Sequence, residues 1–289
     1  QPLQDGSALV AEVRTGVGKT FAYLVPVLLS GKRALVSTAT KSLQDQLYNR
    51  DLPRLLTALN APVRTALLKG RSSYLCLHRL KRARQGDDAG AYVSTDRFTQ
   101  RALARIESWA TRTTTGDVSE VEGMDERSAV IPLVTSTRDN CLGSDCPDFA
   151  ACHLVRARRE AMAADVIVIN HHLFFADLAV RDSGVAELLP SVDAVVFDEA
   201  HQLIDVGVQF SGTTLSTAQL LDLARDALAW GLQHARGLVD WQTAAGQVER
   251  SARELRLVCG GASRESSAPA NDNTRRMTWV QVQAQDGFG

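Results

Sequence analysis

The sequence has no long hydrophobic run. The longest apolar run near its start, residues 21–25, ends at Pro26, far short of the roughly 18 apolar residues that a membrane span needs. No basic segment followed by an apolar one marks a secretory signal. Hydrophobic residues make up 45% of the chain and charged residues 22%, which excludes wholesale disorder. The sequence therefore predicts a soluble, cytoplasmic protein with no membrane partner.

The sequence also lacks an excess of charge and is poor in cysteine. Its 32 Lys and Arg residues nearly balance 33 Asp and Glu, and the net charge is -1. Any nucleic-acid site must therefore be a local patch, because no global field attracts a polyanion. Three of the five cysteines lie within residues 141–152. That crowding is unlike a secreted disulfide framework, and in a reducing cytosol it indicates a metal or cluster.

Strand-like and helix-like segments alternate along much of the chain. The pattern predicts an α/β fold with a parallel sheet and helices on its faces. Residues 70–163 interrupt the alternation with a basic helix-like stretch, a second helix near 95–110 and most of the cysteines. Beyond residue 215 the pattern is helical, with a second helix near 244–258 and a linker at 260–274. The predicted strands are residues 8–13, 33–39, 63–68, 165–169 and 192–197, and the first predicted helix is 19–29.

A phosphate-binding loop is predicted between the first strand and the first helix, at residues Thr15, Gly16, Val17, Gly18, Lys19 and Thr20. Glycines let backbone N–H groups curl around phosphate oxygens. The helix N-terminus adds positive potential, Lys19 can reach the outer phosphates, and the Thr20 hydroxyl can ligate Mg²⁺. Val13 and Arg14 depart from the small residues that usually precede such a loop, and a β-branched side chain there would crowd it.

A pair of carboxylates follows the apolar strand at residues 192–197. Asp198 and Glu199, followed by Ala200 and His201, are expected at the carboxyl edge of the sheet, where such sheets bind ligands. Asp198 would hold Mg²⁺ and Glu199 would activate the attacking water. The alternative is an ordinary acidic pair at the start of a helix.

Four cysteines form a candidate metal centre. Four thiolates can hold zinc or an iron-sulfur cluster. Short Cys-x-x-Cys knuckles typical of zinc are absent, so the wider spacing favours a cluster, while buried free thiols are the remaining alternative. Cys259 stands apart. The four candidate ligands are Cys76, Cys141, Cys146 and Cys152.

Basic residues follow Cys76 and Cys152 closely, so a shared cluster would join them into one positive surface for DNA phosphates. Tyr74 could add base stacking. A solvated helix face is the equally weighted alternative. The polar residues 170–172 end a buried strand and are expected to line the crevice, with zinc ligation as the alternative. The basic residues are Arg79, Lys81, Arg82 and Arg84 in the first run, and Arg156, Arg158 and Arg159 in the second.

Taken together, these motifs resemble the superfamily-two DNA helicases with an iron-sulfur domain, the XPD and DinG group, and most closely its bacterial YoaA-type branch. The resemblance covers residues 15–205. The segments that carry it are TGVGKTFAYLVP, STATKSLQDQLYNRDLP, LLKGRSSYLCLHRL, LVTSTRDNCLGSDCP, DVIVINHHLFFADL and VVFDEAHQL.

The resemblance implies an ATP-dependent helicase that translocates 5′ to 3′ on single-stranded or forked DNA in repair or replication. It implies a 4Fe-4S cluster on the four cysteines, ATP hydrolysis by Lys19, Thr20, Asp198 and Glu199, and coupling of the nucleotide site to DNA through His201. Ser37, Thr38 and Thr40 would contact the DNA backbone.

The same resemblance predicts how the domains follow one another. A RecA-like domain at residues 1–69 and 164–210 would be interrupted by a cluster domain at 70–163. A helical arch domain would begin at 211–289. No second RecA-like pattern and no arginine-finger motif follow residue 210, so the chain is expected to be an N-terminal part that hydrolyses ATP poorly alone.

Two other functions remain open at this point. The first is a nucleic-acid-binding redox module whose cluster is the functional centre, with a degenerate nucleotide site, which Val13 and Arg14 favour. The second is a zinc-stabilised ATPase of another kind.

Overall fold

The computed structural model describes residues 6–12, 18–85, 97–125, 128–138, 140–182, 188–211 and 215–261, apart from the side chains of 182, 211 and 258–261. Backbone contacts divide the chain into two compact units, Gln1–Gly212 and Thr213–Gly289. Within the described residues, no helix is long and apolar enough to cross a membrane.

A four-stranded parallel sheet forms the centre of the first unit. Its strands are β1 (Ala34–Thr38), β2 (Thr65–Leu67), β3 (Val166–Asn170) and β4 (Ala194–Phe197), in the order β2-β3-β1-β4. Every residue of β1 and β3 is buried, as expected for central strands with helices on both faces. The prediction of a parallel α/β sheet is confirmed. The carboxyl ends of β1, β3 and β4 lie side by side.

The strand predicted at residues 8–13 does not form over its described part. Residues 8–12 are irregular, and the side chains of Leu9 and Val10 are 70% and 96% exposed. An apolar run becomes a strand only when a neighbouring strand accepts its backbone hydrogen bonds. Residues 8–12 pair with no strand, so the apolar pattern alone was misleading.

Helices occupy most of the remaining described chain. Thr40 caps the second helix, where its Oγ1 accepts a hydrogen bond from the Leu43 amide at 3.2 Å, as helix N-caps commonly do. In the first unit the helices are α1 (Lys19–Leu29), α2 (Lys41–Gln46), α3 (Leu52–Leu59), α4 (Leu77–Gln85), α5 (Arg97–Ala110), α6 (Ile131–Val134), α7 (His153–Ala163), α8 (His171–Asp182) and α9 (Leu203–Ser211). The second unit contains α10 (Thr217–His234) and α11 (Trp241–Gly261).

The two faces of the sheet are buried by different helices. On one face, Leu24 and Leu28 of α1 pack with Val36 and Val168. On the other, residues of α7 pack with strand residues that include Leu35 and Ile167. Although the sequence places α7 in the insertion, its apolar side therefore belongs to the core of the sheet. Cys152 immediately before α7 also packs against that core.

The segment between β2 and α7 has a core of its own. Its buried members come from α4, α5, α6 and the connections between them, and they are Leu75, Leu80, Ala83, Leu103, Ile106, Val118, Val121, Val130 and Val134. A separate core lets the insertion lose order without unfolding the sheet.

A buried lysine joins this insertion to the sheet. Lys69 is 2% exposed, and its Nζ lies 2.6 Å from Asp45 Oδ1 of α2 and 2.5 Å from Asp117 Oδ2 of the insertion. Burial alone would lower the pKa of Lys69, but hydrogen bonds to the two carboxylates outweigh it and raise the pKa. Removing either carboxylate would leave a buried charge poorly compensated.

Helices α10 and α11 pack closely at a glycine, which yields a stability prediction. A Cβ at Gly231 would lie 2.2 Å from Cδ2 of the Trp241 indole. That ring is held by a hydrogen bond from Nε1 to the Ala235 carbonyl at 2.9 Å. We expect Gly231→Ala to lower the free energy of unfolding by about 1–3 kcal/mol, the usual cost of overpacking. Urea unfolding followed by circular dichroism would measure it.

Gly246→Ala in α11 is the matched control. A Cβ there meets nothing within 4 Å, so alanine should raise helix stability by up to about 1 kcal/mol. Equal effects of the two substitutions would contradict the close packing of Gly231 against Trp241.

Candidate nucleotide-binding and catalytic site

The amino end of α1 supplies one side of the candidate site. Gly18 precedes the helix with φ of 80°, a left-handed conformation that glycine adopts without strain, and α1 begins at Lys19. The predicted loop residues Thr15, Gly16 and Val17 lie outside the described residues. Val13 and Arg14 lie outside them as well.

The carboxyl end of β4 supplies the other side. The Asp198 amide donates to the Ser37 carbonyl at 2.9 Å, which extends the pairing of β4 with β1. The chain then turns sharply, because Glu199 has a φ of 57°. A left-handed non-glycine residue is uncommon and often marks a functional turn.

The structure brings Lys19 and Glu199 together from positions 180 residues apart. Lys19 Nζ lies 3.1 Å from Glu199 Oε1, and the two side chains are about 30% exposed. His201 Nδ1 lies 3.4 Å from Glu199 Oε2. Lys19 and His201, both predicted to be catalytic, thus contact the same carboxylate, that of Glu199, at the carboxyl edge of the sheet.

Asp198 lies beside this group in a less polar environment. Burial raises its pKa, the charge of Glu199 raises it further, and the charge of Lys19 opposes both. Two crowded carboxylates of this kind favour a divalent cation, which offsets their repulsion and prefers oxygen ligands. With the Thr20 hydroxyl on the facing helix, Asp198 could hold Mg²⁺.

Tyr23 is a site residue that the motif analysis missed. It lies one turn beyond Lys19 on α1, and burial together with the charge of Asp198 raises the pKa of its phenol. The phenol oxygen is buried without a hydrogen bond among the described residues. Its spacing of four residues from Lys19 was the available signal, since residues at i and i+4 share a helix face.

The predicted DNA-contacting segment lies at the end of β1. Ser37 and Thr38 are fully buried, whereas Thr40 is exposed. The Ser37 hydroxyl is 2.7 Å from His171 Nδ1, and the Thr38 hydroxyl donates to the Thr40 carbonyl at 3.2 Å. The hydroxyls of Ser37 and Thr38 therefore face protein groups, and Thr40 is the member of this set that presents its side chain to solvent.

The residues in and just before the basic helix α4 differ in part from their predicted exposure to DNA. Tyr74, expected to stack on a base, is only 6% exposed, and its hydroxyl accepts a hydrogen bond from the Lys69 amide at 3.1 Å. Base stacking by Tyr74 is therefore not supported, because the ring is in the core. Arg79 donates to the Pro132 carbonyl at 3.1 Å, and exposed Lys81 lies 2.5 Å from Asp148 Oδ1.

The four candidate cysteines are all free thiols of intermediate burial. Cys76 directly precedes α4 and Cys152 is the N-cap residue of α7, so two thiols lie at helix N-termini. Burial raises the pKa of Cys76, backbone N–H groups of Arg79 and His78 lower it, and the nearby thiols of Cys146 and Cys152 raise it. In the described part of the chain, no three His, Cys, Asp or Glu side chains are placed to hold a single metal ion.

A half-buried arginine also lies near these thiols. Burial lowers the pKa of the Arg158 guanidinium, as does the charge of Arg71, while Cys141 and Cys152 act in the opposite direction. Backbone N–H donors, helix N-termini and a nearby cation are the features that stabilise thiolates. The donor chemistry around these cysteines therefore suits thiolate ligands of the kind that iron-sulfur clusters use. Cys259 has a side chain outside the described residues.

A helix that begins at a Gly-Lys-Thr segment and faces an Asp-Glu pair at the edge of a parallel sheet is typical of P-loop nucleotide hydrolases. The family described as DEAD/DEAH box helicase matches residues 1–109. The resemblance of this chain to the XPD and DinG group is confirmed by its similarity to helicases of that group. The sheet is consistent with a RecA-like helicase domain.

Several curated helicases are similar to this chain. It is 46% identical to the ATP-dependent DNA helicase YoaA of Escherichia coli over 261 residues, 90% of this chain and 40% of that helicase. YoaA of Haemophilus influenzae is 43% identical over the same shares. The ATP-dependent helicase DinG of Mycobacterium tuberculosis is 37% identical over 77% of this chain and 35% of its own length. The chain thus spans 40% or less of these relatives.

Proposed function

We propose that this chain is the first motor domain of an ATP-dependent DNA helicase that translocates 5′ to 3′ on single-stranded DNA. The observation that carries the proposal is the 3.1 Å contact between Lys19 and Glu199 at the carboxyl edge of the sheet, beside Asp198. Two residues so distant in sequence meet at the edge of the sheet where parallel α/β folds bind ligands, which supports a role in phosphoryl transfer. The YoaA relative named above is called an ATP-dependent DNA helicase and the DinG relative an ATP-dependent helicase.

Each residue of this site has a distinct role in the proposal. Lys19 leaves Glu199 and binds the outer phosphates of ATP, which the N-terminus of α1 also attracts. Thr20 and Asp198 hold Mg²⁺. Glu199 then orients and deprotonates the attacking water, and His201, already in contact with Glu199, connects this carboxylate to the DNA-binding side.

DNA binding is assigned to exposed groups at two places. Thr40 lies at the N-terminus of α2, where its hydroxyl and the helix amides can contact a backbone phosphate. Lys81 on α4 gives a second positive contact. Ser37 and Thr38 act through the backbone and the position of Thr40 rather than by direct contact. Single-stranded or forked DNA in repair or replication is the proposed substrate.

The insertion is proposed to hold a 4Fe-4S cluster on Cys76, Cys141, Cys146 and Cys152. Bound there, a cluster would tie the segments around α4 and α7 together and supply a one-electron redox centre. The proposed boundaries are a motor domain at residues 1–69 and 164–210, a cluster domain at 70–163 and an arch domain beginning at 211–289. We place the protein in the bacterial cytoplasm, associated with the nucleoid.

Nucleotide binding by the purified chain tests the proposal. We expect Lys19→Ala to raise the Kd for Mg-ATP by about tenfold or more, since a hydrogen bond to a charged group contributes roughly 1.5–3 kcal/mol. Lys32→Ala, in the turn after α1, should leave the Kd within about twofold because it lies at the opposite end of the helix. Fluorescent-nucleotide titration would measure both affinities.

The outcome also separates the alternatives. A chain that binds single-stranded DNA and keeps a cluster but has no affinity for Mg-ATP would favour the redox module. In that case a double variant, Val13→Ala with Arg14→Gly, should restore nucleotide affinity if crowding of the loop is the cause. Equal affinities of the Lys19 and Lys32 variants would remove Lys19 from the site.

A further inference from the structure

His171 connects three strand ends of the sheet. It is the first residue of α8, directly after β3, and its side chain is fully buried. Its Nδ1 lies 2.7 Å from the Ser37 hydroxyl at the end of β1. Its ring centroid lies 6.0 Å from that of Phe197, the last residue of β4. The same Ser37 accepts a hydrogen bond from the Asp198 amide through its carbonyl.

The other ring nitrogen faces the catalytic loop. His171 Nε2 is buried and has no hydrogen-bond partner among the described residues. Burial lowers the pKa of His171, and the nearby backbone of Asp198 and Glu199 acts in the opposite direction. A neutral ring that accepts from the Ser37 hydroxyl at Nδ1 carries its proton at Nε2. In that tautomer the Nε2 proton would be available to the nearby loop, in which Glu199 has a left-handed backbone.

The residue after Ser37 in β1 contacts the exposed Thr40. Thr38 follows Ser37 directly, and its hydroxyl donates to the Thr40 carbonyl at 3.2 Å. Thr40 in turn caps α2. The Ser37–His171 contact, the covalent link from Ser37 to Thr38 and the Thr38–Thr40 hydrogen bond therefore lie between the loop at Asp198 and Glu199 and the residue proposed to contact DNA. Contiguous contacts of this kind can carry coupling between two sites.

We propose that His171 is a positioning residue that couples the nucleotide loop to the DNA-facing end of β1. The inference rests on the proposed function, because it assigns ligands to both ends of the path. When Lys19 turns from Glu199 to a phosphate, the loop is released to turn its backbone, and a carbonyl of Asp198 or Glu199 accepts the Nε2 proton. The ring then holds the loop and Ser37 in one arrangement, which also sets Thr38 and Thr40.

The test is a measurement of binding linkage on the chain as it exists. The Kd for a fluorescent oligothymidine is measured with and without Mg²⁺ and a non-hydrolysable ATP analogue. We expect the analogue to change the DNA Kd of the unmodified chain by about fivefold or more, the lower end of typical coupling. In His171→Ala the ratio of the DNA Kd values measured with and without the analogue should lie within about twofold of 1. Each ligand alone should still bind with a Kd within about threefold of that for the unmodified chain.

Two conservative variants distinguish coupling from mere packing. The amide nitrogen of glutamine can occupy the position of Nε2, whereas that of asparagine reaches only the position of Nδ1. His171→Gln should therefore retain part of the coupling and His171→Asn should lose it, with both chains folded. His172→Ala is the control, because His172 is exposed and adjacent to His171, and its coupling should equal that of the unmodified chain.

The possible failures are distinguishable. If the unmodified chain binds DNA and nucleotide independently, or if His171→Ala retains the full coupling factor, the role of His171 is overturned and the proposed function stands. Loss of coupling in His171→Gln with retention in His171→Asn would also overturn it. If the unmodified chain has no affinity for the nucleotide analogue, both the proposed function and this coupling are rejected.

Discussion

Glu199→Gln should lower the rate of ATP hydrolysis by at least about a hundredfold and leave Mg-ATP binding intact. A positioned general base contributes roughly 10²–10⁴ to a rate, and an amide keeps the shape of the carboxylate without its basicity. The measurement is DNA-stimulated phosphate release, in any preparation that hydrolyses ATP, whether this chain or a longer protein that contains it.

The ion pair with Lys19 sharpens this expectation. Because Lys19 Nζ is held by Glu199 at 3.1 Å, removing the carboxylate charge frees the ammonium for phosphate. The Kd for Mg-ATP should therefore stay constant or fall. An exposed carboxylate on α7, Glu160, gives the matched control: Glu160→Gln should change neither rate nor affinity. Undiminished hydrolysis in the Glu199 variant would contradict its role as the base.

Cys141→Ser should remove most of the bound iron and the visible absorbance near ~400 nm that thiolate-to-iron charge transfer produces. The small separate core of the insertion is expected to depend on the cluster for order, since metal binding and folding are linked in small domains. Iron and sulfide analysis, absorbance and limited proteolysis within residues 97–125 would measure the loss.

The sheet should remain folded in the same variant. Its two cores contain α1, α3 and α7 but none of the insertion residues from α4 to α6. Cys259→Ser is the control and should retain iron and protease resistance. Equal iron loss in the two variants would mean that the four ligands are wrongly chosen, and full iron occupancy in Cys141→Ser would remove that residue from the set.

Much of the site was predictable because its chemistry is encoded in short segments. The residues Gly18, Lys19 and Thr20 stand where a strand-like segment gives way to a helix, and Asp198 and Glu199 follow an apolar strand directly. Such motifs need only a local turn and the knowledge that parallel strands end at one edge. The strand predicted at residues 8–13 does not form over its described part, because a strand depends on a partner that the local pattern does not contain.

The exposure of the residues predicted to contact DNA was less predictable, for a physical reason. Hydroxyls in a polar segment suggest exposure, yet Ser37 and Thr38 are buried because hydrogen bonds from their hydroxyls satisfy them inside the fold. Tyr74 is likewise drawn into the core by its ring, while the Lys69 amide satisfies its hydroxyl. Whether a polar group faces water or a partner depends on packing, not on its neighbours in sequence.

The sequence by itself determined the class of fold and the resemblance to DNA helicases, and it predicted the candidate catalytic residues, since periodicity, turn residues and motif spacing are local properties of the chain. Only the tertiary structure decided that Lys19 meets Glu199, that Tyr23 lies beside Asp198, that Lys69 is buried between two carboxylates, and that His171 lies between Ser37 and the catalytic loop. These contacts join residues far apart in the chain, and their distances and burial arise from how the helices pack on the sheet.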